Sequence, residues 1–248
     1  MHKDDLLLMA GSLLSVSADV SQPWKSDALN SLLFSGGYAN AMQNKFVDTE
    51  RWGGHYTKSM INLKWSRSRY RSVDVVPGRK ETVVLIELLK KSVSDVFGAS
   101  LAKPFGQVLA RIEQTSATQD AWAMFRESAV SNDGAETEGE AENKTSAQCS
   151  TIVLQINLLV AELVTYSILI YFKTSEAVAD DFLNQAFAGQ DIVGKVSVEV
   201  AQYSLDKRGY ERSKIREKVL EALADMTDER IIDLCSECVA DKREDLHD

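Results

Sequence analysis

The stretch from Val73 to Lys91, VDVVPGRKETVVLIELLKK, constrains the fold of this 248-residue chain more than any other segment. Two short apolar runs, 73–76 and 82–86, flank the sequence PGRKE, in which the Pro-Gly pair and the charged residues favour a turn. The second run is rich in β-branched side chains, which favours a strand. The segment is therefore predicted to form a β-hairpin.

The same residues also fit one amphipathic helix over 80–97. In that alternative, Lys90 and Lys91 lie on the solvated face and Glu87 is an acidic residue of the first helical turn. Asp74 is then an ordinary exposed strand residue. Both interpretations are compatible with the sequence.

In the hairpin, two acidic side chains point the same way. If Val76 pairs with Glu81, Asp74 lies opposite Val83, and Glu87 shares the face of Val83 because strand side chains alternate. Two carboxylates at the open end of a hairpin suit Mg²⁺ or Mn²⁺, since such cations take oxygen ligands. A metal ion held there would polarise a phosphodiester and lower the pKa of an attacking water.

These features resemble the PD-(D/E)XK nuclease superfamily. The similarity consists of a strand that carries Asp74, a turn, a strand that ends at Glu87 with a lysine after it, and a following helix, KPFGQVLARIE, that contains Gln107. The resemblance implies that Asp74 and Glu87 bind the metal ion and that Lys90 positions the water. It also implies that an upstream acid, Glu50, contributes to the metal site.

The resemblance covers residues 58–113 and departs from the family pattern at one place. Two residues separate Glu87 from Lys90, where the family has one, so a regular strand would turn Lys90 to the opposite face. A β-bulge at Leu88–Leu89 would restore the common face. The alternative is that Leu88–Leu89 is the middle of a helix.

A basic and aromatic run, KWSRSRYR, precedes the hairpin on a chain whose formal net charge is -9. In an extended strand its three arginines share a face, where they would suit a phosphate backbone, and its aromatic rings could stack on bases. The alternative is a solvated edge strand protected by charge. The predicted nucleic-acid-binding residues are Lys64, Arg67, Arg69, Arg71 and Gln107.

Apolar periodicity predicts the remaining elements. Helical spacing is found at about 4–17, 26–47 and 100–113, and alternation at about 58–72 and, loosely, at 120–130.

The apolar run at 151–172 approaches the length of a membrane span. It contains Asn157 and Glu162, however, and a charge in the middle of a span is costly. A buried strand over 151–157 that leads into a core helix over 158–172 is predicted instead.

The predicted fold class is α/β, with a small mixed β-sheet core and flanking helices. Residues 1–172 are predicted to form this core with N-terminal helices. The acidic segment 131–148 lacks large apolar side chains and is predicted to be a mobile loop. Residues 173–248 are predicted to be a helical C-terminal region that packs on the core. Three cysteines make no disulfide framework and suit a cytoplasmic protein.

The sequence thus predicts a Mg²⁺- or Mn²⁺-dependent nuclease, or a relative that only binds DNA or RNA. The alternative is a non-enzymatic, α-rich interaction or regulatory protein that binds another protein. No membrane partner is predicted, and the apolar C-terminal helices could form a homodimer.

Overall fold

A mixed β-sheet with helices against both of its faces forms the centre of the structure. The computed structural model describes residues 4–115, 120–133, 149–224 and 231–234. The strands of the main sheet are β1 (Asp5–Met9), β2 (Ser12–Val16), β3 (Trp65–Val75), β5 (Val130–Asp133), β6 (Cys149–Val160), β7 (Val164–Thr174), β9 (Ile192–Leu205) and β10 (Ile231–Asp233), and a separate pair consists of β4 (Thr82–Val84) and β8 (Ala186–Ala188).

The helices are α1 (Trp24–Met42), α2 (Thr49–Asn62), α3 (Leu85–Phe97), α4 (Ala99–Thr115), α5 (Asp120–Ala129), α6 (Lys207–Arg212) and α7 (Ile215–Leu223). Apolar side chains of α1, α2, α6 and α7 form one core with one face of the sheet. Those of α3, α4 and α5 form a second core with the opposite face. The sheet is therefore buried on both sides between two helical layers.

The main sheet has the strand order β10-β1-β2-β6-β7-β9-β3, and β5 pairs with the first part of β6. Strand β2 runs parallel to β6, while the other pairs are antiparallel. Strand β3 lies at one edge of this sheet. The predicted mixed α/β class with flanking helices is confirmed, but the sheet is large, with eight strands among the described residues, where a small one was predicted.

The predicted helix over 4–17 is wrong, because these residues form the hairpin of β1 and β2. The turn between the strands is Ala10-Gly11, in which both residues have positive φ values, 48° and 79°. Such a turn matches the twist of paired strands. Side chains of both strands enter both cores, so the apolar residues run on continuously and imitate helical spacing.

The predicted helix over 158–172 is wrong for the same reason. Strands β6 and β7 form a hairpin through the short 3-10 segment Ala161–Leu163. Nearly every side chain of β6 is buried, since its two faces meet the two cores. None of the helices in the described part of the chain is both long and apolar enough to cross a membrane.

Other predicted elements have mixed outcomes. The helices over 26–47 and 100–113 are confirmed as α1 and α4. The strand predicted over 58–72 begins only at Trp65, and residues 120–129 are helical. The C-terminal region contains α6 and α7 but also the 14-residue strand β9, so its prediction as wholly helical is wrong. The mobile loop predicted over 131–148 is wrong for residues 131–133, which belong to β5, and its remaining residues lie outside the described ranges, as do residues 235–248.

Candidate functional site

The predicted hairpin between β3 and β4 does not form. Strand β3 pairs with β9, and β4 pairs with β8. Helix α3 begins at Leu85, so Leu88–Leu89 is the middle of a helix and the predicted bulge is wrong. Leu85, Leu89 and Val93 are all buried, because the pattern of residues 85–97 presents one apolar face to the core.

Asp74 and Glu87 lie on opposite sides of the sheet. Asp74 is paired in register with Ser197, on the face that α2 covers. Glu87 lies on α3, which packs against the other face, and it is exposed and paired with Lys90 at 2.9 Å. Within the described ranges, no group of three or more His, Cys, Asp or Glu side chains could hold a metal ion. These residues therefore do not fit the metal that the sequence resemblance implied.

Asp74 and Glu50 do meet, but around a lysine. Lys195 Nζ lies 2.8 Å from Asp74 Oδ2 and 3.5 Å from Glu50 Oε1. Ser197 Oγ donates a further hydrogen bond to Asp74 Oδ1 at 2.7 Å. The hydrogen bond from Lys195, assisted by that from Ser197, lowers the pKa of Asp74. An ammonium group thus occupies the place between the carboxylates where a cation would bind.

Removal of the Ser197 hydroxyl is expected to raise the pKa of Asp74 back toward its ordinary value. The reason is that the carboxylate loses a donor that stabilises its charged form, while Lys195 remains. Carboxyl ¹³C chemical shifts of Asp74, followed through an acid titration, measure this change in the Ser197→Ala variant. Ser68→Ala, which removes a hydroxyl from the same edge, is the control and should leave the pKa of Asp74 unchanged. An unaltered pKa in Ser197→Ala would contradict the assigned hydrogen bond.

The three arginines of β3 do not share one face. A register irregularity between Arg67 and Arg69 shifts the pairing, so Arg67 lies opposite Tyr203 whereas Arg71 lies opposite Val200. Arg67 therefore points to the α2 side of the sheet and Arg71 to the α3 side. The Arg67 guanidinium lies 4.2 Å from the ring centroid of Tyr70, within range of a cation–π contact. The predicted row of three guanidinium groups is wrong.

The other two predicted contacts lie elsewhere. Lys64 is in the turn between α2 and β3 and has a φ of 69°. Gln107 is exposed on α4, a helix of the layer that covers the opposite face from α2.

Two charged side chains are buried among the described residues, Asp27 and Lys45, with exposed fractions of 2% and 8%. Asp27 accepts two hydrogen bonds from the guanidinium of Arg216, one of them from Nε at 2.7 Å. Lys45 has no ion-pair partner among the described carboxylates. Its Nζ donates to the carbonyl oxygen of Gly11 at 3.3 Å and lies 5.4 Å from the ring centroid of Phe46. Burial lowers the pKa of Lys45 to about 8.

Lys45 lines a surface cavity of about 430 Å³. The cavity lies where the α1–α2 connection approaches the β1–β2 turn and α5. Its polar groups are three carboxamides, one hydroxyl and the Lys45 ammonium. The lining residues are Ala10, Gly11, Asn40, Gln43, Asn44, Lys45, Phe46 and Ser128. We call this cavity the Lys45 pocket.

Local hydrogen bonds hold the connection that carries Lys45. The carbonyl oxygen of Asn44 accepts from the backbone N–H of Val47 at 3.1 Å, and its side-chain Oδ1 accepts from Phe46 N–H at 2.9 Å. The hydroxyl of Thr49 donates to the carbonyl oxygen of Lys45 at 2.6 Å. The backbone on both sides of Lys45 is therefore fixed before α2 begins.

Gly11 keeps the pocket open beside the ammonium group. A Cβ atom at this position would lie 3.3 Å from Lys45 Nζ and 3.3 Å from Ser128 Cβ. The φ of Gly11, 79°, is also one that L side chains rarely adopt. The sequence pattern does not single out Lys45. No local pattern indicates that a lysine between two helices is buried.

Comparison with known proteins gives distant similarities. No protein-family model and no curated protein sequence matches the chain. A solved structure titled delta-endotoxin matches with 11% identity over 77% of this chain and 82% of its own, with a TM-score of 0.41. The activated Cyt2Ba monomer from Bacillus thuringiensis subsp. israelensis matches with 11% identity over 78% of this chain and 98% of its own, with a TM-score of 0.42.

The geometry corrects the functional prediction. The structure lacks the β3–β4 hairpin on which the PD-(D/E)XK resemblance rested, and it places Asp74 and Glu87 on opposite sides of the sheet. The predicted family and the predicted nuclease function are therefore wrong. The α-rich fold on which the alternative of a regulatory protein rested is wrong as well, because a large mixed sheet forms the centre of the structure.

Proposed function

We propose that this protein binds a small anionic ligand, whose carboxylate or phosphate group contacts Lys45 in the Lys45 pocket. The observation that carries the proposal is a buried ammonium group beside which the described ranges place no carboxylate. A buried, unpaired charge costs several kcal/mol. An anionic group in the pocket would supply the missing partner.

The orientation of two carboxamides favours the same ligand chemistry. Asn40 Oδ1 accepts a hydrogen bond from Trp52 Nε1 at 2.8 Å, and Asn44 Oδ1 accepts from Phe46 N–H at 2.9 Å. Because both amide oxygens are engaged, the NH₂ groups are the donors of these side chains. One N–H of Asn40 donates to the carbonyl oxygen of Ala10 at 3.4 Å, which leaves its second N–H for a ligand. The pocket therefore combines N–H donors with the Lys45 ammonium, a set that suits anionic oxygens.

The size of the pocket suits a metabolite rather than a bare ion. Pockets for small organic ligands typically have volumes of about 300–1,000 Å³, and the Lys45 pocket has about 430 Å³. With a pKa of about 8, the lysine is mostly protonated at neutral pH and is ready to bind an anion.

Isothermal titration calorimetry with succinate and inorganic phosphate tests this proposal, with neutral succinamide as the uncharged control ligand. Wild type is expected to bind at least one of the two anions, and Lys45→Met to bind it at least about tenfold more weakly, since a charged hydrogen bond is lost. Lys58→Met removes an exposed lysine on α2 and should bind like wild type. Equal losses in the two variants, or equal binding of succinamide, would contradict the proposal.

The affinity should also fall with rising pH. Lys45 loses its proton above a pH of about 8, so the affinity of wild type at pH 9 should be about tenfold lower than at pH 7. An affinity that is constant from pH 7 to pH 9 would exclude Lys45 as the group that holds the anion. Succinate is the better ligand for this series, because its own charge does not change over that range.

A further inference from the structure

We infer a second binding site, a slot between α3 and the β3–β9 edge of the sheet, that takes a small aromatic carboxylate. The slot has a volume of about 140 Å³ and shares no residue with the Lys45 pocket. Its walls are apolar, and its mouth carries two cationic side chains. The apolar lining residues are Val73, Val75, Leu88, Val96, Val198 and Val200.

The floor of the slot is a valine surface that α3 does not fill. Val73 pairs in register with Val198 on the face that α3 covers. Ser92 on α3 also lines the slot, but its hydroxyl donates to the carbonyl oxygen of Leu88 at 2.7 Å. That hydroxyl is therefore satisfied within the helix, and the interior offers an apolar surface. An apolar cavity of this size accommodates about one benzene ring.

The mouth of the slot is positively charged. Arg71 and Lys91 both line it and are exposed, and neither forms an ion pair within the described part of the chain. Asp95 is the one acidic residue in the lining, so the three charged groups sum to one positive charge. The chain as a whole carries a net charge of -9, so the positive charge at this mouth is opposite in sign to that of the protein.

These two properties together select the ligand class. A ring-sized apolar body would fill the space over the valines and remove their surface from water. A carboxylate on that body would reach the mouth, where the guanidinium and the ammonium are available to bind it. A neutral or cationic analogue would keep the apolar contact and lose the ionic one.

Methyl-resolved NMR of valine-labelled protein tests this site, with benzoate, benzamide and benzamidine as probes. Benzoate is expected to shift the methyl signals of Val73, Val75, Val198 and Val200 and to bind more tightly than the other two probes. Benzamidine that binds as tightly as benzoate would show that Asp95 dominates and would overturn the proposal. Shifts confined to other methyl groups would overturn it as well, without bearing on succinate binding at Lys45.

Substitutions separate the ionic from the apolar contribution. Arg71→Gln combined with Lys91→Gln should weaken benzoate binding by about three- to tenfold, the range expected of exposed charges. Lys90→Gln is the matched control, because Lys90 lies on the same helix, outside the slot, and should leave the affinity unchanged.

Val75→Phe should abolish the methyl shifts by filling the slot, and it is tolerable because Val75 is 38% exposed at the edge of the sheet. Unchanged benzoate affinity in both the double variant and Val75→Phe would overturn the site.

Discussion

The Lys45→Met variant is expected to be more stable than wild type. At pH 7 and without ligand, its free energy of unfolding should be about 2 kcal/mol higher. Burial lowers the pKa of Lys45 from 10.5 to about 8, which corresponds to a cost of about 3 kcal/mol for the charged form. Methionine fills a similar space without a charge. The variant also loses the hydrogen bond to the carbonyl oxygen of Gly11. That loss costs about 1 kcal/mol and offsets part of the stability gained by removing the charge.

The advantage of the variant should shrink as the pH rises. The folded-state pKa of Lys45 lies below its unfolded value, so the unfolded chain binds more protons between pH 8 and pH 10.5. Wild type therefore gains stability over that window, while below pH 8 the cost of the buried charge is fully present. Urea unfolding at pH 7 and pH 10 measures the difference, with Lys58→Met as the exposed control. A Lys45→Met variant that is less stable than wild type at pH 7 would contradict this account.

Loss of the Arg216 guanidinium is expected to have the opposite effect. Arg216→Met should lower the free energy of unfolding by about 3 kcal/mol, because it leaves the Asp27 carboxylate buried without a partner. Asp27 lies near the start of α1 and Arg216 near the start of α7, so their hydrogen bonds also join these two helices. The side chain of Arg216 is 40% exposed, which places the expected cost at the lower end of the range for buried pairs.

A second substitution should restore most of that loss. Asp27→Asn combined with Arg216→Met removes both charges and should be more stable than Arg216→Met alone, which chemical unfolding of the variants at pH 7 would measure. Arg212→Met removes an exposed arginine on α6 and should change the stability by less than about 0.5 kcal/mol. If Arg216→Met lowered the free energy of unfolding as little as Arg212→Met does, the Asp27 carboxylate would not depend on its partner.

Elements with one buried face could be predicted from the sequence. Helix α4 is the clearest case: Leu101, Phe105, Val108, Leu109 and Ile112 repeat at helical spacing, and all five are buried. A pattern of this kind is typical of a helix that packs on one side only. The spacing of the apolar residues is therefore enough to predict both the helix and its buried face.

Strands with two buried faces could not be predicted in the same way. In β6, Ile152 and Leu154 enter one core while Val153 enters the other, so large apolar side chains follow one another along the strand. Gln155 and Asn157 are the polar residues of its middle part, and both are buried. The helix interpretation of 158–172 and of 4–17 failed for this reason. The strand predicted over residues 82–86 is confirmed for residues 82–84, which form β4, and is wrong for residues 85 and 86, which begin α3.

The candidate site depends on contacts between residues that are distant in sequence. Lys45 is buried against Gly11, 34 positions earlier, and Arg216 reaches Asp27 across 189 positions. Neither pairing leaves a local signature in the amino-acid order. The sequence pattern predicted a metal site at Asp74 and Glu87 instead. These two acids lie on different sides of the sheet because β3 pairs with β9 rather than with β4.

The pairing of β1 with β10 has a consequence for how the chain reaches this structure. Leu8 pairs with Ile232, and next to it β2 pairs in parallel with β6, where Leu13 meets Ile156. Pairing strands that are so far apart in sequence costs a large loop-closure entropy, and this cost slows folding. During synthesis β1 and β2 emerge well before β10, so β1 acquires its outer neighbour only after the intervening strands have been translated. Until then one edge of the nascent sheet is left without its final strand.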